Sequence, residues 1–165
     1  MISKIEKNLN KTLEFEAALI KSSYPNNNLD YIKKFLLDNY SNNDIANVYM
    51  IENNNRENII VIEYILTIEF RRKNYRVYVL AYLPILFPKN PPEFYIRKTS
   101  NIELNKFYLN GKINPKDFHI NLDFFKKFDP STKNISDIID NLVINFSQYF
   151  PIYRGDDNNN FKKSE

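Results

Sequence analysis

Phe87-Pro88-Lys89-Asn90-Pro91-Pro92 is the stretch on which the fold of this chain turns. Three prolines in six residues cannot sit in a helix or a sheet interior, because each lacks an amide donor and fixes its own φ. Segments with strand character bound the run, Tyr75–Leu83 before it and Phe94–Arg97 after it. Apolar strands on both sides of a proline-locked stretch predict a rigid, pre-set corner rather than a loose loop. The second informative feature is an absence, for the sequence contains no cysteine. Disulfides, cysteine-held zinc and thiolate chemistry are excluded for these residues, which suits a reducing compartment.

Working outward from the corner, two more strand-like segments precede it, Ile45–Glu52 and Ile59–Phe70. Turn-like linkers, Asn53-Asn54-Asn55-Arg56 and Arg71-Arg72-Lys73-Asn74, separate the strands. Four strands with such short connections predict an antiparallel meander. Further upstream the period changes from two to about 3.6. Ser3-x-x-Glu6 reads as a capping box opening a helix with Ile2, Ile5, Leu9, Leu13 and Ile20 roughly along one face. Tyr24-Pro25-Asn26-Asn27 ends it, and Asn28 is expected to cap a second helix with Leu29, Ile32, Phe35, Leu36 and Tyr40 as its apolar stripe.

Downstream, Thr99–Asp129 reads as mostly irregular, with Asn110-Gly111 as a tight turn. Asn134-x-x-Asp137 opens a last helix with Ile135, Ile138, Ile139, Leu142 and Phe146 at helical spacing, and Phe150-Pro151-Ile152-Tyr153 follows as an extended segment. The expectation is an α+β fold, a four-stranded antiparallel meander flanked by two N-terminal helices and one C-terminal helix. Residues 1–154 form a single domain in this reading, and 155–165 form a polar, disordered tail.

Composition narrows the function. The net charge of +3, from 23 basic and 20 acidic residues spread along the chain, is too weak to argue for nucleic acid. No apolar stretch approaches the roughly 20 residues that span a bilayer, and the N-terminus lacks a signal-peptide core, so a cytoplasmic protein without a transmembrane segment is expected. No phosphate-loop, dinucleotide or metal-ligand spacing is present, so no cofactor is expected. Arg71-Arg72-Lys73 is a basic hairpin tip, a solvated turn with the charge to touch anionic lipid or acidic partners.

The order helix, helix, four-strand meander, Pro-Pro corner, long connection, helix resembles the ubiquitin-conjugating-enzyme-like fold. Phe87–Pro92 stands where that fold has a Tyr-Pro-x-x-Pro-Pro corner. Phe94-Tyr95-Ile96-Arg97-Lys98-Thr99-Ser100, Asn110-Gly111-Lys112-Ile113 and Phe150–Tyr153 extend the likeness over Phe15 to Arg154. An additional helix before the strands and the closing Phe-Pro-Ile-Tyr are similar to the ubiquitin-conjugating-enzyme-variant (UEV) domains found in ESCRT-I. An active conjugating enzyme needs a cysteine for its thioester, preceded by His-Pro-Asn. The corresponding region here is Phe107-Tyr108-Leu109-Asn110-Gly111-Lys112-Ile113-Asn114, and His119, a few residues on, has no cysteine to activate. The resemblance therefore implies a non-catalytic binding domain with an ESCRT-I-like role in sorting ubiquitinated cargo, cytoplasmic and peripheral at endosomes. The alternatives are a scaffold subunit of a larger assembly, or a UEV partner of an active conjugating enzyme. The extra N-terminal helix counts against that last reading.

UEV domains of this kind use two surfaces, and the resemblance maps both onto this sequence. Ubiquitin is expected between the tongue joining the first two strands and the outer face of the sheet, at Met50, Glu52, Asn53, Tyr82 and Tyr95. Proline-rich peptide motifs are expected in a groove lined by Phe70, Tyr75, Thr99, Ile102, Ile152 and Tyr153. Flat rings suit such peptides because a polyproline helix loses little entropy on docking. Tyr78 and Phe150 stand where the family groove has prolines, and their bulk predicts a partly filled groove.

Overall fold

The structure, a computed structural model, describes residues 14–40, 44–99, 101–131 and 135–154. The readings at Ser3, Glu6, Ile2, Ile5, Leu9 and Leu13, the Asn134 cap and the 155–165 tail lie outside those residues. Helix α1 occupies residues 14–21 and α2 Leu29–Tyr40. Strands β1 (Ile45–Glu52), β2 (Asn58–Phe70), β3 (Lys73–Tyr82) and β4 (Glu93–Ile96) follow, then β5 (Ile102–Leu104), β6 (His119–Ile120), α3 (Ile135–Gln148) and β7 (Ile152–Arg154). The expected α+β arrangement of three helices and a β1–β4 meander is formed. The structure adds β6 beyond β4, giving a five-stranded antiparallel sheet in the order β1-β2-β3-β4-β6, and pairs β5 with β7 in a separate ribbon.

Alternation along β2 and β3 divides the sheet into two faces. Ile60, Ile62, Tyr64, Leu66 and Ile68 of β2 point with Val77, Val79 and Ala81 of β3 into one continuous core. Helices cover this inner face. Phe15 and Leu19 come from α1, Ile32, Phe35 and Leu36 from α2, and Ile135, Ile138, Ile139, Leu142 and Phe146 from α3. Burial of such side chains stabilises by about 1.5–3 kcal/mol each, more than the modest helix-propensity deficit of the isoleucines in α3.

The proline corner is anchored by its first residue. Phe87 is fully buried, with its ring centroid 5.0 Å from Phe35, 5.9 Å from Tyr31 and 5.7 Å from Phe128. The Phe87-Pro88 peptide is cis. Its carbonyl oxygen accepts from the Asn28 side chain at 3.3 Å. Asn28 thus braces the corner instead of capping α2, which continues directly from a 3-10 turn over Asn26–Asn28.

Two further local expectations are corrected. Ile20 is 83% exposed, because the buried pair Phe15 and Leu19, spaced four apart, sets the inner face of α1 and turns Ile20 away. The linker after β2 is shorter than read: Phe70 pairs with Lys73, so only Arg71 and Arg72 form the turn, with φ of 52° and 65°.

Beyond the Val61–Tyr82 pair the Leu83 amide still donates to the Ile60 carbonyl at 3.0 Å, and a side chain bridges the other two groups. The buried Tyr24 hydroxyl accepts from the Ile60 amide at 2.7 Å and donates to the Leu83 carbonyl at 2.7 Å. Neighbouring Ser23 exchanges two bonds with Asn58, its amide donating to the Asn58 carbonyl and its hydroxyl accepting from the Asn58 amide. The α1–α2 connection is thereby pinned to the end of the sheet. Tyr24→Phe strands both backbone groups, and a loss of about 2–4 kcal/mol is expected in equilibrium denaturation. Burial also pushes the phenols of Tyr24, Tyr64 and Tyr108 well above their ordinary value. The unfolded chain ionises these groups near pH 10 whereas the folded chain resists, so their stabilisation is complete below pH 10 and lost above it. Thermal midpoints measured from pH 8 upward should fall once pH 10 is passed.

Candidate recognition surfaces

The outer face of the sheet follows from the same register. Tyr49 stands opposite Val61, Val61 opposite Tyr82, and Tyr82 opposite Glu93. In the next row Glu63 faces Leu80, Leu80 faces Tyr95, and Tyr95 faces His119. Val61 is 0% exposed and Leu80 9%, yet neither belongs to the core cluster on the inner face. They lie beneath a half-exposed aromatic layer. Tyr82 and Tyr95 rings are 4.9 Å apart, and Tyr95 and His119 4.8 Å apart. At the layer's edge the Arg97 guanidinium lies 4.0 Å over the Tyr78 ring and 3.4 Å from the Glu63 carboxylate. Desolvation, then the nearby carboxylates of Glu93 and Asp117, raise the Tyr95 phenol above its ordinary value. The Tyr95 phenol therefore stays protonated at neutral pH, with the carboxylates of Glu93 and Asp117 beside it.

Five residues are expected to meet ubiquitin, three in the tongue and two on the outer face of the sheet. Tyr82 and Tyr95 lie on that face. Met50 pairs with Ile60, which puts it on the opposite side, packed against the core, because a strand alternates with a period of two. Glu52 pairs with Asn58 at the hairpin's end and is exposed. Asn53 organises the turn itself. Its Oδ1 accepts from the Asn55 and Glu57 amides, both at 2.9 Å, and its Nδ2 donates to the Glu57 carboxylate at 3.1 Å. Tyr49 and His119 join Tyr82 and Tyr95 instead. Tyr49 alternates against Met50 in the sequence, but only cross-strand pairing reveals which of the two faces outward.

The second set is split as well. Phe70 and Tyr75 lie at the far end of the inner face, and Phe150 packs on both. Its ring stacks 5.5 Å from Phe70 and lies 4.9 Å from Tyr75, and the residue is 6% exposed. Asn105 holds this exit from α3, its side chain donating to the Phe150 carbonyl at 2.8 Å and its amide to the Pro151 carbonyl at 2.8 Å. The β5–β7 ribbon brings Ile102, Ile152 and Tyr153 together. Leu104 pairs with Ile152 and Glu103 with Tyr153, so Ile102 and Ile152 face the core while Tyr153 takes the other side. Thr99 is exposed just after β4.

The region corresponding to the thioester site is tightly packed. Tyr108 is fully buried, its hydroxyl 2.5 Å from the Tyr149 carbonyl oxygen and 3.0 Å from Asn145 Oδ1 at the end of α3. Phe107 stacks on Tyr149 at 3.7 Å, and the Lys112 ammonium lies 3.7 Å over the Phe107 ring. Among the described residues no group of histidines and carboxylates is arranged to hold a metal ion, and no helix is long and apolar enough to cross a membrane.

A family model described as the UEV domain matches residues 15–154. Among solved structures, the yeast Vps23 UEV domain, in complex with a Vps27 PSDP peptide, is similar with a TM-score of 0.56 at 13% identity, over 87% of this chain and 94% of that one. At this identity the likeness is one of fold. No curated protein matches the chain in sequence. Phe150 sits as a core ring between Phe70 and Tyr75, so Phe150→Ala should cost about 3 kcal/mol or more in denaturant unfolding.

Proposed function

The chain belongs to the UEV domain family, and from that premise we propose that it is a non-catalytic recognition domain binding ubiquitin or ubiquitinated proteins through the tyrosine face of its sheet. The observation that carries this reading is the aromatic layer of Tyr49, Tyr82, Tyr95 and His119 over the buried Val61 and Leu80, with Glu93 and Asp117 beside it. Ubiquitin offers a small apolar patch ringed by basic residues. Tyrosine suits such a patch, since its ring buries apolar area while its hydroxyl keeps water or a partner. The carboxylates of Glu93 and Asp117 beside Tyr95 complement the basic ring and steer the encounter. With no cysteine in the sequence, the chain has no thiolate on which to carry ubiquitin as a thioester. In this reading it contributes to ESCRT-I-like sorting of ubiquitinated cargo, recruited peripherally to endosomes.

A second reading is recognition of short proline-rich peptides, favoured by the PSDP peptide bound to the Vps23 UEV domain. Phe150 already fills the space between Phe70 and Tyr75, and Ile102 and Ile152 face the core, which leaves Thr99 and Tyr153 on the outside for a peptide. The ubiquitin face meets no such obstruction among the described residues. It is preferred for that reason.

Titration of isotope-labelled protein with ubiquitin tests the proposal. Amides around Tyr49, Tyr82, Tyr95 and His119 should shift, with a sub-millimolar affinity near −4 to −5 kcal/mol, about the range of a weak transient contact. Tyr95→Ala should weaken binding by about 2 kcal/mol, as removal of a central aromatic anchor does. An absence of shifts at millimolar ubiquitin would leave a scaffold role, or pairing with an active conjugating enzyme, as the better account.

A further inference from the structure

We propose that the tip of the β2–β3 hairpin is a contact site for anionic lipid headgroups. Pairing with β1 ends at Tyr64 and Ile65, and pairing with β4 ends at Tyr78 and Val79. From Leu66 to Val77 the hairpin therefore runs on as a two-stranded arm. Its inner side is packed under Phe150, whereas Thr67, Glu69, Asn74 and Arg76 on its outer side are exposed.

The end of the arm carries Arg71, Arg72 and Lys73, with Arg76 farther back on the outer side, the side that also carries Glu69, and all four cations are exposed. None of the four pairs with a carboxylate among the described residues. Arg71 instead lies 5.0 Å over the half-buried Phe70 ring, which places apolar surface directly behind the cations. The chain as a whole carries only +3, so this is a local concentration of charge and not a general one.

The backbone supplies the second observation. Both turn residues adopt positive φ, the conformation of a two-residue type I′ hairpin, where Asn-Gly is the favoured pair. Arginine is disfavoured there by its Cβ. Arg56, Asn101 and Phe118 adopt positive φ as well, but among the described residues only here do two consecutive positions do so, and both are arginine. Strain held at an exposed turn points to use of the side chains that cause it.

Three cations at a blunt tip, with a fourth farther back and a ring alongside, fit a headgroup layer. A groove or stripe with stacking rings, as single-stranded nucleic acid would need, is not what the arm presents. Each cation near an acidic bilayer surface contributes about fivefold in partition at moderate salt.

The test is flotation of the full chain with phosphatidylcholine vesicles, with and without phosphatidylserine, in parallel with R71N/R72G. The wild type should float only with phosphatidylserine and be released by added salt. The variant, whose turn residues suit the backbone better, should melt no lower than wild type yet bind roughly 25-fold more weakly, by about fivefold per removed cation. R71K/R72K should retain binding. Equal flotation of wild type and R71N/R72G would overturn the proposal, as would absence of wild-type flotation on phosphatidylserine. Preference of the wild type for an RNA duplex or polyglutamate over the vesicles would overturn it too.

Discussion

The register of β2 against β3 is the constraint on which the rest of the molecule depends. Ten consecutive pairs, from Val61 with Tyr82 to Phe70 with Lys73, fix which side chains meet the helices and which meet water. A slip of one residue would exchange the inner row of isoleucines and valines for Tyr78, Glu63, Arg76 and Thr67, and the core could not close. Both ends are pinned by groups outside the ladder. The Tyr24 hydroxyl joins Ile60 to Leu83 at one end, and the Arg71-Arg72 turn closes the other.

Aromatic packing then holds the connections to this sheet. Phe87 ties the proline corner to α2 through Phe35 and Tyr31, and Phe150 ties the exit of α3 to the hairpin arm. Tyr108 couples the irregular segment to the end of α3 through its hydroxyl. In each case one ring buries area while a backbone carbonyl nearby finds a donor, so irregular chain is accommodated without unsatisfied polar groups.

Much of this was legible in the sequence, and the parts that were not share a cause. β1 falls on the expected Ile45–Glu52, and α3 buries the five residues that its spacing picks out, because each of those patterns is local and long. β6, with two residues, and β5 and β7, with three each, are too short to show alternation. The layout of the candidate surfaces was hidden for a different reason. Met50 and Tyr49 are neighbours, and alternation says only that they face apart; deciding which is outward requires the partner strand, information spread over distant residues. Asn28 likewise looked like a cap because its true acceptor, the Phe87 carbonyl, is 59 residues away.

The tyrosine roof over Val61 and Leu80 has a kinetic consequence. Since those two side chains shed their hydration when the sheet folded, an arriving protein has only ring edges and hydroxyls left to dehydrate. A partner would gain mainly the area of the tyrosine rings, so a contact of the proposed weak affinity would be brief and its exchange rapid. On the proposed ubiquitin reading, such a surface would sample tagged molecules in turn and hold firmly those presented several at a time, where one release is followed by capture of the next.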